Sequence, residues 1–357
     1  MEKKKDIILG MSGGVDSTVA VHLLQKQGYN VIGVTLQLAD HYLHDKSKQL
    51  EVIQKAKAVC DRFAIEHIVA DKTAEFDHCI VQYFANEYFR GATPNPCVQC
   101  NLHLKWAPLL QIADKMGIEK IATGHYAKII EEDGQFSLYR AKDKAKDQSY
   151  FLWRLNQEQL SRTVFPLADV TKDEIFQIAQ ELDLPQSKQA ESQDVCFIPD
   201  NDYKEFLAKY FSKDLKKIPK GNFVDMQGKV IGKHDGYYRF TIGQRKGLGI
   251  ALGEPAYVRA IHPQSNTVKI GFAMDMEDLG CTIKDLNWLD GPKPSIVTDL
   301  LVKIRYRNPG VMARMEPLED GRYHLFFNES VKAVTPGQSA VFYQGNKVLG
   351  GGIIVLP

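Results

Sequence analysis

The sequence predicts an α/β fold, a doubly wound parallel sheet, followed by two small β-rich domains. Three observations carry this expectation. Short apolar runs alternate with stretches of helical spacing through the first two hundred residues. The first run breaks into a glycine loop that opens a helix. After about residue 212 the texture changes to turns and short alternating strands.

Taken in order, Ile7 to Leu9, Val31 to Leu38, His67 to Ala70 and Lys120 to Thr123 read as short buried strands. Helical spacing fills 16–27, 48–63, 74–90 and 101–116 between them. In such a sheet ligands sit beyond the carboxyl ends of the strands, where residues 12–17, Leu36 and Gly124-His125-Tyr126 would converge. Thr171-Lys-Asp-Glu174 is a capping-box signature that opens a helix through Leu182. Residues 213–220, with Pro219, read as a linker, and glycines from Gly228 to Gly253 punctuate the segment beyond it. A second break falls at 274–280. After that break the runs 301–307, 323–327 and 339–343, separated by turn residues, suggest a small β-barrel or sandwich. The expected domains are therefore 1–212, 213–275 and 276–357.

The chain has 357 residues and a net charge of +1, which hides an asymmetry. Between Lys204 and Lys246 there are 11 Lys or Arg against 4 Asp or Glu, a clustering that matches an electrostatic footprint for a phosphate backbone. No apolar h-region follows the charged N-terminus and no segment approaches a membrane-spanning length, so the chain is expected to be cytoplasmic with no membrane partner. In that compartment the six cysteines are expected to be packing, catalytic or metal-binding thiols, not a disulfide framework.

The loop Gly10-Met11-Ser12-Gly13-Gly14-Val15-Asp16-Ser17 supplies glycines for close backbone approach and free helix-opening N–H groups for an anion. It lacks the lysine of a Walker loop. A pyrophosphate leaving group, held by backbone amides and by Mg²⁺ at Asp16, fits it better than a γ-phosphoryl transfer, and the indicated chemistry is adenylation. Thr93-Pro-Asn95-Pro96-Cys97-Val-Gln-Cys100 places two thiols three apart, after a stiff turn and before a helix. A thiol at a helix N-terminus has a stabilised thiolate, which makes Cys100 a nucleophile. The C-x-x-C spacing alone equally suits a redox pair, half a zinc site or half an iron–sulfur site, and no second C-x-x-C exists. Cys196, in the string E-S-Q-D-V-C-F-I-P, reads alone as a buried thiol; Cys60, Cys79 and Cys281 read as packing residues. Gly232-Lys-His-Asp-Gly236 and Tyr238 to Gly249 mix basic side chains, aromatics and glycine turns, which suits backbone contact and base stacking, or equally a hairpin with solvated charges.

Together, S-G-G-V-D-S, T-P-N-P-x-x-x-C-N, G-H-Y-A, K-D-Q-S-Y-F-L, D-x-C-F-I, G-x-H-x-G, F-T-I-G-Q-R-K-G-L-G-I and P-G-Q-S-A-V-F-Y closely resemble the bacterial tRNA-specific 2-thiouridylases, in order and over nearly the whole chain. These belong to the PP-loop ATP pyrophosphatases, whose catalytic domain is adenine nucleotide alpha-hydrolase-like. The resemblance implies thiolation at C2 of the wobble uridine in tRNAs for lysine, glutamate and glutamine, with ATP and Mg²⁺, and with sulfur from a cysteine desulfurase or a sulfur-relay protein. It implies that the nucleotide contacts Gly10 to Ser17, Leu36 and Gly124. It further implies that Cys196 carries a persulfide and that Cys100 ends in a disulfide with Cys196. Asn95, Pro96, Cys97, His125, Lys146, Asp147, Gln148, Arg305, Tyr306 and Gln338 match positions that contact tRNA in the family.

One departure matters. Where many relatives have Asp in T-P-N-P-D-x-x-C-N, this chain has Cys97, so Cys97, Cys100 and Cys196 make a trio able in principle to hold an iron–sulfur cluster, an alternative ranked behind the persulfide relay. Two rival functions are another PP-loop amide or amidine ligase, which needs no redox cysteines, and a non-catalytic tRNA-binding protein. Neither explains the loop, the thiols and the basic module together.

Overall fold

The computed structural model describes residues 5–38, 47–184 and 195–355. They form two compact units: residues up to Ile80 with Cys97–Pro199 and Asn346–Val348, and Val81–Pro96 with Asp200–Gly345 and the segment from Leu349. Among the described residues no helix is long and apolar enough to cross a membrane.

The first unit contains β1 (Lys5–Gly10), β2 (Tyr29–Gln37), β3 (Glu66–Asp71), β4 (Lys120–Thr123), β5 (Ala127–Glu132), β6 (Gln135–Arg140) and β7 (Thr163–Val164). Its sheet runs in the order β3-β2-β1-β4-β7, and every pairing is parallel. Ile7, Ile8 and Leu9 are fully buried, as a strand covered on both faces must be, and Ile7 stands opposite Val31 on one side and Lys120 on the other. The helix Val15–Lys26 packs Val19, Ala20, Leu24 and their neighbours into a core shared with Val59, Ile175 and Ala179. The chain runs β1, β2, β3 in one direction and resumes with β4 on the other flank of β1, which creates a topological switch point between β1 and β4.

Three features depart from the expectation. Residues 74–90 form Thr73–Phe76, a π-helical stretch Asp77–Val81 and Gln82–Phe89 instead of one regular helix. The helix expected at 101–116 begins earlier, with Pro96–Cys100, continues as a π-helical stretch Asn101–Trp106, and ends with Ala107–Met116 and a left-handed Gly117. Pro96 stands where proline is tolerated, at the first helical position. The hairpin β5–β6 was not expected. Glu132 pairs with Gln135 across Asp133-Gly134, both at positive φ, the type I′ turn that an Asp-Gly pair favours. The predicted capping box is present: Thr171 Oγ1 accepts from Glu174 N at 3.3 Å and Glu174 accepts from Thr171 N at 2.5 Å.

The second unit holds β8 (Gly221–Val224), β9 (Val230–His234), β10 (Tyr257–His262) and β11 (Thr267–Gly271), a sheet in the order β10-β11-β8-β9. It also holds β12 (Glu277–Trp288), β13 (Val297–Lys303), β14 (Val311–Pro317), β15 (Tyr323–Lys332), β16 (Ser339–Gln344) and β17 (Lys347–Ile354), ordered β12-β15-β14-β13-β16-β17. A β12–β17 pairing closes these six strands into a barrel, around Ile283, Val302, Leu325 and Phe342. The strand expected over 301–307 stops at Lys303.

Candidate active site

A cavity of about 560 Å³ opens at the switch point of the first unit. Gly10 to Ser12, Asp16 and Ser17 line it from the loop, Val34 to Leu36 from β2, and Thr123, Gly124 and His125 from the end of β4. Lys105, Leu109, Phe76, Gln148 and Cys196 complete its wall. Ser12, Asp16, Ser17, Leu36 and Gly124-His125 thus meet at one cavity, whereas Tyr126, expected there too, is not in its wall and reaches the loop through its hydroxyl. Gly13 turns the loop at φ +71°, and a Cβ there would come within 2.8 Å of Lys55 Cβ and 2.9 Å of Ala56 N. Ser17 Oγ donates to Gly14 O at 3.0 Å and Thr18 Oγ1 does the same at 2.9 Å, which ties the loop to the first helical turn.

Asp16 departs from the expectation. Its carboxylate accepts from Lys172 Nζ at 2.8 and 3.0 Å and from the Tyr126 hydroxyl at 2.6 Å. Lys172 is buried, packed over the Phe176 ring. A cation at this carboxylate would meet the Lys172 ammonium, whose charge opposes it, and among the described residues no group of three His, Cys, Asp or Glu stands ready to hold a metal. The residues present thus do not fit Mg²⁺ held by Asp16.

The thiols also differ from expectation. Cys97 and Cys100 lie inside the helical segment that starts at Pro96, so Cys97 occupies the first turn and Cys100 lies beyond it, where the dipole fades. Solvent touches Cys97 and Cys196, and Cys100 is half-buried. Protein crowds the remainder of each thiol, and this burial pushes all three up, Cys196 to about 12. The charges of Cys100 and Cys97 raise Cys196 further, which places the three thiols within electrostatic reach of one another. The Lys105 charge opposes burial at every one of them. Cys60 and Cys281 are buried packing thiols, pushed to about 11 and about 12 by desolvation; Cys79 is half-buried. Residues 191–194 of the string before Cys196 lie outside the described residues.

Lys105 Nζ stands 3.3 Å from His125 Nε2, and His125 Nδ1 stands 2.8 Å from Thr123 Oγ1. His125 is buried beside Trp106 and Phe165; burial, then the Lys105 charge, hold its pKa well below the usual value, so the ring is neutral. Of the other expected tRNA contacts in this unit, Gln148 lines the cavity and its Oε1 accepts from Tyr126 N at 3.1 Å. Asp147 is buried and accepts from Ala141 N, Ser149 N and Ser149 Oγ, which shapes its own turn; Lys146 is half-buried.

The remaining expected contacts lie in the second unit. Gln338 Nε2 donates to Thr93 O and Pro94 O, both at 3.0 Å, and so braces the turn that carries Asn95 and Pro96. Arg305 is exposed and donates to Lys332 O at 2.9 Å, while Lys303 lies over the Tyr306 ring at 5.9 Å. In the glycine-rich module His234 Nδ1 accepts from Gly236 N at 3.1 Å, a structural role, whereas Arg245 and Lys246 are exposed. Sequence reasoning missed Lys105, Lys172, Tyr126 as the partner of Asp16, and Phe76. Lys105 and Lys172 read locally as solvated helix charges, and only tertiary placement gives them partners.

A parallel sheet with a glycine loop at its switch point, open helix amides and no loop lysine defines a nucleotide-binding domain of the PP-loop kind. The family model described as "tRNA methyl transferase HUP domain" matches residues 5–200, followed by a "PRC-barrel domain" over 204–272 and an "Aminomethyltransferase beta-barrel domain" over 279–354. Curated relatives span all three segments. The "tRNA-specific 2-thiouridylase MnmA 1" of Clostridium tetani is 44% identical over 353 residues, covering 98% of this chain and 97% of the relative. Those of Clostridium perfringens and Carboxydothermus hydrogenoformans are 43% and 40% identical, each covering 98% of both chains. The chain belongs to the tRNA-specific 2-thiouridylases, a family of tRNA-uridine sulfurtransferases. Among solved structures, the U34-tRNA thiolase NcsA from Methanococcus maripaludis with its [4Fe-4S] cluster overlaps with a TM-score of 0.35 and 19% identity, over 58% of this chain and 68% of that one, too little to bear on chemistry.

Proposed function

We propose that this enzyme uses ATP to adenylate the C2 oxygen of the wobble uridine in tRNAs for lysine, glutamate and glutamine, and replaces that oxygen with sulfur. The observation that carries the reading is the opening of Cys196 into the same cavity as the phosphate loop. In the first step the C2 oxygen attacks the α-phosphate and pyrophosphate leaves, with the loop amides of Gly10 to Ser17 facing the phosphates and Leu36 and Gly124 flanking the nucleoside. In the second, the terminal sulfur of a Cys196 persulfide attacks C2. The Cys100 thiolate then attacks Cys196 Sγ, the S–S bond breaks toward the transferred sulfur, and AMP leaves as the C2 thione forms. The product is a Cys100–Cys196 disulfide, whose two electrons balance the reduction of sulfane sulfur, and an external thiol regenerates it. The sulfur enters from a cysteine desulfurase or a relay protein, in the cytoplasm, where such thiols stay reduced. The exposed bases Arg245 and Lys246, with Arg305, support binding of the tRNA backbone.

A second reading has its own observation. Three thiols that sense one another's charge are the donor kind for an iron–sulfur cluster with one open iron. Among the described residues, however, no trio stands at metal-holding spacing, so the thiols would have to draw together. The test is 2-thiouridine formation in unmodified lysine tRNA, read by nucleoside mass spectrometry, with ATP, cysteine, a desulfurase and iron-free protein. ATP-dependent product that vanishes in Cys196→Ser and Cys100→Ser supports the relay. Product that forms only with anaerobically purified protein, together with stoichiometric iron lost in Cys97→Ser, overturns it in favour of the cluster.

A further inference from the structure

Raised thiols pose a problem for a reaction that runs through thiolates. Cys97, where many relatives carry a carboxylate, is itself raised by burial and is a poor base for its neighbours. Among the described residues the charge of Lys105 acts on all three thiols. Lys105 lies in the π-helical stretch Asn101–Trp106, whose five-residue hydrogen-bond spacing returns it to the helix face that carries Cys100. Regular α-helical winding would turn it about 140° away. Lys105 lines the same cavity as Cys196.

The setting leaves that ammonium uncommitted to an acid. Among the described residues Lys105 has no carboxylate partner. Its hydrogen bond goes to His125 Nε2, and because an ammonium only donates, the neutral ring accepts there and donates from Nδ1–H to Thr123 Oγ1. Trp106 donates its indole N–H to Thr163 Oγ1 at 2.8 Å, so the ring that shields His125 is itself fixed. Among the described residues the titratable and charged groups that share the setting are Cys97, Cys100 and His103 on the same helical segment, Arg154, which donates to Gln99 Oε1 at 3.1 Å, His125 beyond β4, Cys196, and Asp16, whose charge Lys172 already answers.

We propose that Lys105, aimed by the neutral imidazole of His125, is a positioning residue for sulfur transfer, the counter-charge against which Cys100 and Cys196 act as thiolates. This deepens the sulfur-transfer reading and rests on it. No new bond or redox step is added; the proton of each thiol goes to solvent and the lysine keeps its own.

The test is site-resolved alkylation of the iron-free, full-length enzyme by iodoacetamide across pH, read by peptide mass spectrometry, for wild type, Lys105→Met and Lys105→Arg. Loss of the charge is expected to move the alkylation midpoints of Cys100 and Cys196 up by about one pH unit, hence to slow alkylation about tenfold below the midpoint, and Lys105→Arg to restore most of it. The same Met variant should lower kcat for thiolation and leave KM for tRNA within about twofold. Unchanged midpoints in Lys105→Met, or a raised KM for tRNA with unaltered alkylation, overturn the proposal, the latter because it makes Lys105 a phosphate contact. Should Lys105→Met fail to fold, His125→Gln, which loosens the lysine and keeps its charge, must still shift the midpoints or the proposal falls. A shift in an enzyme that forms no 2-thiouridine leaves the counter-charge role standing and overturns the sulfur-transfer reading alone.

Discussion

Replacing Lys172 with Met tests whether the loop depends on its buried ion pair. Lys172 is 8% exposed and Asp16 29% exposed in their side chains, with two contacts of 2.8 and 3.0 Å. Removing one member of a fully buried pair costs about 3–5 kcal/mol, because the remaining charge is uncompensated. Here water reaches Asp16 and the Tyr126 hydroxyl still donates to it, so we expect about 2 kcal/mol. For a unit of this size that is a fall of about 4–8 °C in Tm. Differential scanning calorimetry of Lys172→Met, Asp16→Asn and the double variant reads it as a cycle. The double variant should be the more stable of the two that lack Lys172, since neutralising Asp16 removes the orphaned charge. A Lys172→Met variant within about 0.5 kcal/mol of wild type, or a double variant equal to the summed single losses, would refute the reasoning.

Two further outcomes rest on individual contacts. Ala at Gly33 in β2 would place its Cβ 2.7 Å from Cys60 Sγ and 3.0 Å from Met11 Cγ. That overpacking should cost about 1–3 kcal/mol in urea unfolding and, by shifting Met11 in the cavity wall, weaken nucleotide binding in calorimetry. Glu174 is held down to about 2, first by its hydrogen bond from Lys142 and then by Thr171 N. A depressed carboxyl stabilises the fold above its unfolded pKa and loses that contribution as pH falls toward 2. The Tm gap between wild type and Glu174→Gln should therefore be constant near neutral pH and close progressively below about 4.5.

How legible each feature is in the chain alone depends on how local its signal is. Ile7-Ile8-Leu9 announces a strand because burial on both faces leaves no room for alternation, and Gly13 announces the loop because the turn needs positive φ there. Asp133-Gly134 is an equally local signal, so the hairpin it turns was legible although unexpected. The thiols lie one turn further into the helix than their local sequence implies, for a different reason. Pro94-Asn95-Pro96 punctuates the chain, and local chemistry does not distinguish a proline that precedes a helix from one that forms its first residue. The charges were beyond reach altogether. Lys172 looks like the first residue of a capped surface helix, yet it pairs with an aspartate 156 positions away. The absence of a Walker lysine was legible in S-G-G-V-D-S. The ammonium that stands against that loop in the folded chain was not, because it arrives from the helix Lys172–Glu181, and only the closing of the sheet around β1 brings the two together.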